Sequence, residues 1–314
     1  MCAVHRNPAI CAPLHFWLIR AFFFCVLNEM DFPLSRPRLF LTALLCALSA
    51  ACSPADLLNL VVPRSGYTVH RDLAYGSDKR QRLDIYVPDG LGAPAPVIVF
   101  FYGGSWQSGT KDDYLAFGQA MASKGIVTVV ADYRVFPDVK YPDFVDDGAR
   151  AVRYVRDAIG KFGGDPGRLF LAGHSAGAYI AVMLAAAPRT LARHAVALSD
   201  VKGVIGIAGP YDFLPLTDPK LIEIFGGANN PAMLPITYVD GKRPAMLLVA
   251  GSDDTVVSPA NTSRMAARLR AHQSPVEDKT YPGTGHIGII LSLAPGFRGR
   301  TTLRDDIAAF VSGH

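Results

Sequence analysis

Apolar positions fall into short, mostly continuous runs that recur along the chain. Each run is bounded by turn-forming residues and is too short for a helix, so we interpret each as a β-strand covered on both faces. The runs cover residues 97–101, 125–130, 168–172, 201–207 and 245–250. Before them, segments 67–74 and 82–88 alternate apolar with polar positions and predict a half-exposed hairpin.

The segments between the buried strands have helical spacing. In residues 143–162, apolar side chains recur three and four positions apart, with Pro142 before them and Gly163 after them. Further helices are predicted directly after residue 175, over 258–273 and over about 303–311. Because strands alternate with helices, the predicted fold class is α/β, with a mostly parallel central sheet and helices on both faces. Residues 210–244 lack a clear period, and we interpret them as a small cap insertion over the edge of the sheet.

A thirteen-residue apolar run at positions 39–51 differs from the others in its surroundings. Arg36 and Arg38 precede it and Cys52 follows it. About twenty apolar residues are needed to cross a bilayer, so the run fits the core of a signal peptide better than a membrane helix. The segment before Cys52 resembles a bacterial lipoprotein signal, although Leu48 lies one place further from the cysteine than in the commonest pattern.

This interpretation divides the chain into four parts. Residues 1–29 are expected to be an upstream extension, 30–51 a lipoprotein-type signal peptide, 52–66 a linker and 67–314 a single α/β domain. We therefore predict an exported cell-envelope lipoprotein that faces the periplasm and touches the membrane only through a lipid on Cys52. The alternative is a buried N-terminal helix followed by a chance cysteine.

Composition narrows the classes of function. Hydrophobic residues make up 50% of the chain and charged residues 18%, which argues against disorder. The net charge of +4 is scattered rather than collected into a basic stripe, so we expect no nucleic-acid partner. All five cysteines lie in the first 52 residues, which leaves the rest of the chain without a disulfide or a cysteine-ligated metal.

The most informative motif is Gly-His-Ser-Ala-Gly at 173–177, between a predicted strand and a predicted helix. A strand that turns this tightly into a helix leaves almost no room for side chains two positions before and after Ser175. The serine hydroxyl then projects above the sheet, and the first N–H groups of the helix face it. This pattern predicts that Ser175 is a nucleophile.

A second motif, Tyr-Gly-Gly-Ser-Trp at 102–106, directly follows the apolar strand 97–101. Two glycines at the end of a strand allow main-chain amides to approach a ligand closely. Stabilising a developing oxyanion requires such preorganised donors. We assign the N–H groups of Gly104, Ser105 and Ala176 to this oxyanion hole.

A serine nucleophile needs a base, and the base needs an acid to orient it. Of the histidines after Cys52, only His286 lies in a glycine-rich loop at the end of an expected strand: the segment Tyr-Pro-Gly-Thr-Gly-His at 281–286 follows what we interpret as the last strand of the sheet. Asp253 and Asp254 both follow strand 245–250, and we favour Asp254 as the acid, with Asp253 as a turn-forming or helix-capping neighbour. The order serine, aspartate, histidine is the one expected with this nucleophile turn.

Residues 67–313 resemble the α/β-hydrolases. The resemblance is nearest to the hormone-sensitive-lipase-like carboxylesterases, including their kynurenine-formamidase and prenylcysteine-methylesterase branches. The matching segments are the motifs above together with ADYRVFP, GGDPGRLFLAGHSAG, GSDDTVV and GTGH. The resemblance implies a triad of Ser175, Asp254 and His286. Two departures are Tyr102, where the family usually has histidine, and the missing long N-terminal cap, which implies an open site.

Together these features predict a carboxylesterase that cleaves small-molecule esters through an acyl-enzyme. A serine triad needs no cofactor and no metal. An amidase, formamidase or peptidase would use the same groups, and a non-catalytic binding module could share the fold. A purely structural lipoprotein is the least favoured alternative, because it has no need of a strained serine turn. The sequence makes no prediction of oligomeric state.

Overall fold

The computed structural model describes residues 59–314. The predicted extension, the signal peptide, Cys52 and the first part of the linker lie outside the described residues. Within residues 59–314, no helix combines the length and the apolar character needed to cross a bilayer.

The strands of the described chain form one eight-stranded sheet. They are β1 (Tyr67–Ala74), β2 (Arg82–Pro88), β3 (Ala95–Phe101), β4 (Val127–Ala131), β5 (Gly164–His174), β6 (Val201–Ile207), β7 (Ala245–Gly251) and β8 (Val276–Tyr281). Their order across the sheet is β1-β2-β4-β3-β5-β6-β7-β8. Strand β2 runs opposite to the other strands and pairs antiparallel with both β1 and β4, whereas β3 to β8 are parallel, so the carboxyl ends of β3 to β8 meet at one edge.

Helices connect the parallel strands. They are α1 (Leu115–Ala122), α2 (Asp143–Ala158), α3 (Ala176–Ala186), α4 (Arg189–Arg193), α5 (Pro219–Phe225), α6 (Ala260–Ala271), α7 (His286–Leu291) and α8 (Leu303–Gly313). The predicted hairpin, the five apolar strands and the helix after Pro142 are all present. That helix continues as a 3-10 turn to Phe162 and ends at Gly163, whose φ of 76° suits glycine.

The core is centred on the middle of the sheet and on α3. Every residue of β4, β7 and α3 is buried. Because α3 is covered on all sides, its sequence is apolar all round and has no amphipathic period. The edge strand β8 is the opposite case, since four of its six residues are exposed.

The 210–244 insertion contains α5, which the apolar pattern did not predict. The Asp218 side chain accepts hydrogen bonds from two N–H groups of its first turn, and Gly226 ends it at a φ of 71°. Two tyrosine hydroxyls from outside the insertion form hydrogen bonds with the segment that follows α5. Tyr179 of α3 donates to the carbonyl of Met233 at 2.7 Å, and Tyr141 donates to the carbonyl of Ala232 at 2.7 Å.

Candidate active site

Ser175 lies at the sharp turn between β5 and α3. Its φ of 54° and ψ of −120° are strained for a residue with a side chain, and its N–H donates to the carbonyl of Ile207 at 2.8 Å. A Cβ on Gly177 would lie 2.0 Å from the carbonyl oxygen of Phe101, and one on Gly173 would lie 2.2 Å from the main chain of Gly177. The crossing of β5, α3 and β3 therefore requires both glycines.

Three side chains that were expected to meet lie together above the carboxyl edge of the sheet. His286 Nε2 is 2.9 Å from Ser175 Oγ, and His286 Nδ1 is 2.7 Å from Asp254 Oδ2. Asp254 follows β7, and His286 begins α7 after β8. The relative exposure of each residue is 9% or less, so the chain of hydrogen bonds is largely screened from water.

The surroundings of Asp254 determine where the imidazole proton lies. Its Oδ1 accepts the N–H groups of Val256 and Val257 at 2.9 and 2.8 Å, which leaves Oδ2 for His286. A carboxylate only accepts, so Nδ1 of His286 carries the proton and donates it. Nε2 then has a lone pair that faces the hydroxyl of Ser175, which is the arrangement a general base requires.

Hydrogen bonds hold the loop after β7, which carries Asp254 (the acid loop), against the loop after β8, which carries His286 (the base loop). The N–H of Asp253 donates to the carbonyl of Thr284 at 3.0 Å, and the N–H of Gly283 donates to Ser252 Oγ at 2.9 Å. The carboxylate of Asp253 accepts from Ser252 Oγ at 2.6 Å. Asp253 therefore supports the turn, and Asp254 is the carboxylate at the imidazole.

The loop after β3, which carries Gly104 and Ser105 (the oxyanion loop), lies beside the sharp turn at Ser175. A Cβ on Gly103 would lie 3.1 Å from the Cβ of Ser175. Gly104 and Ser105 both have positive φ, at 140° and 52°, which turns their main chain sharply at the end of β3. Among residues 59–314, no protein acceptor pairs with the N–H of Gly104, Ser105 or Ala176. These donors are available to a bound oxyanion.

Tyr102, at the start of the loop after β3, is built into the protein interior. It is fully buried, and the guanidinium of Arg80 donates to its hydroxyl at 2.8 Å and to the carbonyl of Gly109 at 2.6 Å. Tyr133 stacks on its ring at 4.6 Å and donates to its carbonyl at 2.8 Å. Burial raises the pKa of Tyr102, so its hydroxyl stays neutral. Tyr102 thus braces the loop through Arg80 and Tyr133.

Two further residues of the site were missed by the sequence analysis. The sequence motifs assign no role to His174 or to Tyr114. Tyr114 Oη lies 3.1 Å from His174 Nδ1 and accepts the N–H of Gly103 at 3.1 Å. The only sequence signal was the histidine inside the nucleophile motif. Tyr114 lies in a 3-10 turn whose sequence gives no hint of this contact.

A cavity of about 480 Å³ opens beside Ser175. Its walls come from the oxyanion loop, the start of the 210–244 insertion and the segment after Asp254; among them are Trp106, Phe213, Leu216, Leu221, Val256 and Arg264. Tyr179 packs edge-on against Trp106 at 5.2 Å, behind this wall. The lining is mixed, with an Arg264–Asp212 ion pair of 2.6 Å among apolar side chains.

The described residues offer no metal centre. Within residues 59–314, no three histidine, cysteine or acidic side chains are grouped closely enough to hold a metal ion.

Comparison with known proteins places the chain in a family. The BD-FAE family model matches residues 83–269, which is more than half of the sequence. The chain belongs to the BD-FAE family. It is 30% identical to isoprenylcysteine alpha-carbonyl methylesterase of Arabidopsis thaliana over 265 residues, which are 77% of this chain and 62% of the relative. The chain therefore spans less than two thirds of the length of that relative.

Other similarities extend over most of the hydrolase domain. Kynurenine formamidase of Salmo salar is 26% identical over 72% of this chain and 77% of its own length. The structure of a truncated carbohydrate esterase from gut microbiota superposes with a TM-score of 0.71 at 19% identity, and the match covers 80% of this chain and 98% of that one. This likeness confirms the predicted α/β-hydrolase fold for this member of the BD-FAE family.

Proposed function

We propose that this protein is a serine hydrolase that cleaves small carboxylic esters through an acyl-enzyme. The observation that carries the proposal is the line of hydrogen bonds from Asp254 through His286 to Ser175, at 2.7 and 2.9 Å, beside three available main-chain N–H groups. The family and the esterases among its relatives support the same conclusion.

The reaction follows from the position of the imidazole proton. His286 Nε2 takes the proton from Ser175 Oγ as that oxygen bonds to the ester carbon. The carbonyl oxygen becomes an oxyanion, which the N–H groups of Gly104, Ser105 and Ala176 stabilise. His286 then gives its proton to the alcohol oxygen as the C–O bond breaks and the acyl group stays on Ser175.

Water completes the cycle by the same path. His286 removes a proton from the water as its oxygen attacks the acyl carbon, and returns the proton to Ser175 as the acid leaves. Throughout, Asp254 holds the proton on Nδ1 and stabilises the transient imidazolium. No cofactor or metal ion takes part in these proposed steps.

Replacing the nucleophile tests the proposal. Ser175→Ala should lower kcat for p-nitrophenyl acetate or butyrate by about 10⁴–10⁶-fold. A matched control is Ser263→Ala, because this exposed hydroxyl donates only within α6, to the carbonyl of Ala260. The control should keep wild-type turnover. Equal activity in the wild type and Ser175→Ala would refute the assignment of Ser175.

Amide hydrolysis is a second candidate, supported by the similarity to a kynurenine formamidase. The same groups can open an amide if His286 protonates the leaving nitrogen. The ratio of kcat/KM for phenyl acetate to that for acetanilide separates the two candidates. The ester proposal predicts a large ratio, and a ratio near or below one would favour an amidase.

We also propose export and lipid attachment at Cys52, on the strength of the sequence pattern alone. In a bacterial host, the full chain should fractionate with membranes and Cys52→Ala should not. Equal membrane association of both forms would refute the anchor.

A further inference from the structure

His174, the second residue of the nucleophile motif, is 1% exposed and has both ring nitrogens engaged. Nε2 lies 3.0 Å from the main-chain oxygen of His286, and Nδ1 lies 3.1 Å from Tyr114 Oη. Its ring centre is 4.9 Å from that of His286. The mechanism proposed above does not use this buried imidazole, although it lies between Ser175 and the base loop.

The directions of these hydrogen bonds follow from the groups themselves. A carbonyl only accepts, so Nε2 of His174 carries the proton and donates to the carbonyl of His286. Burial, and next repulsion from a protonated His286, lower the pKa of His174 to about 3, so the ring is neutral and Nδ1 must accept. The hydroxyl of Tyr114 is therefore the donor to Nδ1.

Tyr114 extends the chain of bonds to the oxyanion loop. Its Oη accepts the N–H of Gly103, so the complete order is Gly103 N–H to Tyr114 Oη–H to His174 Nδ1, and then His174 Nε2–H to the carbonyl of His286. Burial raises the pKa of Tyr114 to about 12, which keeps its proton in place. A Cβ on Gly103 would lie 3.0 Å from His174 Nδ1 and 3.2 Å from Tyr114 Oη, so the contact is tightly packed.

We propose that Tyr114 and His174 are positioning residues that fix the oxyanion loop and the base loop relative to Ser175. This inference rests on the proposed serine-hydrolase function. Neither residue is assigned a contact with substrate. Their hydrogen bonds join three separate segments of the chain: the loop after β3, the nucleophile turn and the start of α7. The oxyanion donors and the imidazole are correctly oriented only while these three segments keep their relative positions. Small displacements of such groups lower the reaction rate strongly.

Tyr114→Phe tests the inference by removing one hydroxyl. Fluorophosphonate titration first counts the active sites, so that any loss of folded enzyme is corrected. Per active site, kcat for p-nitrophenyl butyrate should fall on the order of tenfold, which is less than the loss expected for removing an oxyanion donor itself. KM should change by less than about twofold, because substrate binding does not use this relay.

A trifluoromethyl ketone supplies the second measurement, because its adduct with Ser175 places an oxyanion where the transition state has one. Its Ki should rise in proportion to the fall in kcat. The matched control is Tyr67→Phe, which removes another tyrosine hydroxyl; Tyr67 lies on the outer strand β1, and its hydroxyl donates to the carbonyl of Pro63. The control should leave kcat and Ki unchanged.

A double-variant cycle tests whether the two residues act together. In His174→Gln the side-chain amide can still donate toward His286, but it offers no acceptor at the position of Nδ1. The double variant Tyr114→Phe/His174→Gln should then be about as slow as the slower single variant. Multiplied effects would contradict a single relay.

The outcomes separate this inference from the proposed function. If the wild type neither hydrolyses esters nor reacts with fluorophosphonate, the serine-hydrolase assignment fails. If the wild type is active and Tyr114→Phe matches it in kcat and Ki per active site, only the positioning relay is refuted. A loss that disappears after active-site titration would likewise refute the relay, because it would show a purely structural role.

Discussion

Protonation of His174 should couple protein stability to pH. Burial, and next repulsion from a protonated His286, lower the pKa of this imidazole from 6.5 to about 3. The carboxylate of Asp254 and the hydrogen bond to the carbonyl of His286 oppose the shift only in part. The unfolded chain therefore binds this proton below about pH 6.5, whereas the folded protein does not until about pH 3.

The sign and size of the effect follow directly. The contribution of His174 is complete above about pH 6.5 and is lost as the pH falls, because only the unfolded state gains the proton. Each pH unit in this window changes the unfolding equilibrium constant by about tenfold. Between about pH 6.5 and pH 4, the loss amounts to about 3 kcal/mol of the free energy of unfolding.

Urea unfolding of the wild type and of His174→Asn, followed by circular dichroism from about pH 8 to pH 4, measures this contribution. Carboxylates and the remaining histidines are common to both proteins, so their titration largely cancels in the difference. The variant should be less stable at pH 8, and the wild type should lose about 3 kcal/mol more than the variant by pH 4. An unchanged difference across this range would refute the buried, neutral state of His174.

Three substitutions test other parts of the site. Asp254→Asn should lower kcat by about 10³–10⁴-fold, because the amide nitrogen would face His286 Nδ1 and force the proton onto Nε2; retention of more than a tenth of the activity would contradict this. Gly177→Ala would place a Cβ 2.0 Å from a main-chain oxygen of β3. Thermal unfolding should therefore show that the variant has lost several kcal/mol of its free energy of unfolding, or that no folded protein forms. A variant with the Tm of the wild type would contradict this prediction. Tyr102→Phe should cost about 1–2 kcal/mol in urea unfolding, since Arg80 loses a buried acceptor; no change would show that the bond contributes nothing.

Much of the fold was predictable because burial leaves a simple mark on the sequence. Strands β3 to β7 are covered on both faces, and their apolar runs stand out. By contrast, β8 has the sequence VEDKTY and four exposed positions, so it has no continuous apolar run like those that predicted the inner strands. The short α5 was missed because its signals are the capping residue Asp218 and the terminating Gly226 rather than an apolar period.

The sequence likewise predicts only part of the candidate site. Ser175, Asp254 and His286 could be proposed from the sequence because each follows a strand whose carboxyl end faces the same edge of the sheet. The contact between Tyr114 and His174 could not, because it joins a 3-10 turn to the nucleophile motif across 60 positions of sequence. No local sequence pattern predicts the contact between these two residues, because it depends on the packing of α1 against the sheet.

The central claim is that Ser175 is the nucleophile. The most direct test is to treat the full chain with a fluorophosphonate and to locate the adduct by mass spectrometry of its peptides, with Ser175→Ala alongside. We expect one equivalent of label on the peptide that contains Ser175 and none on the variant. Labelling at a different residue, or a folded wild type that takes up no label, would contradict the account.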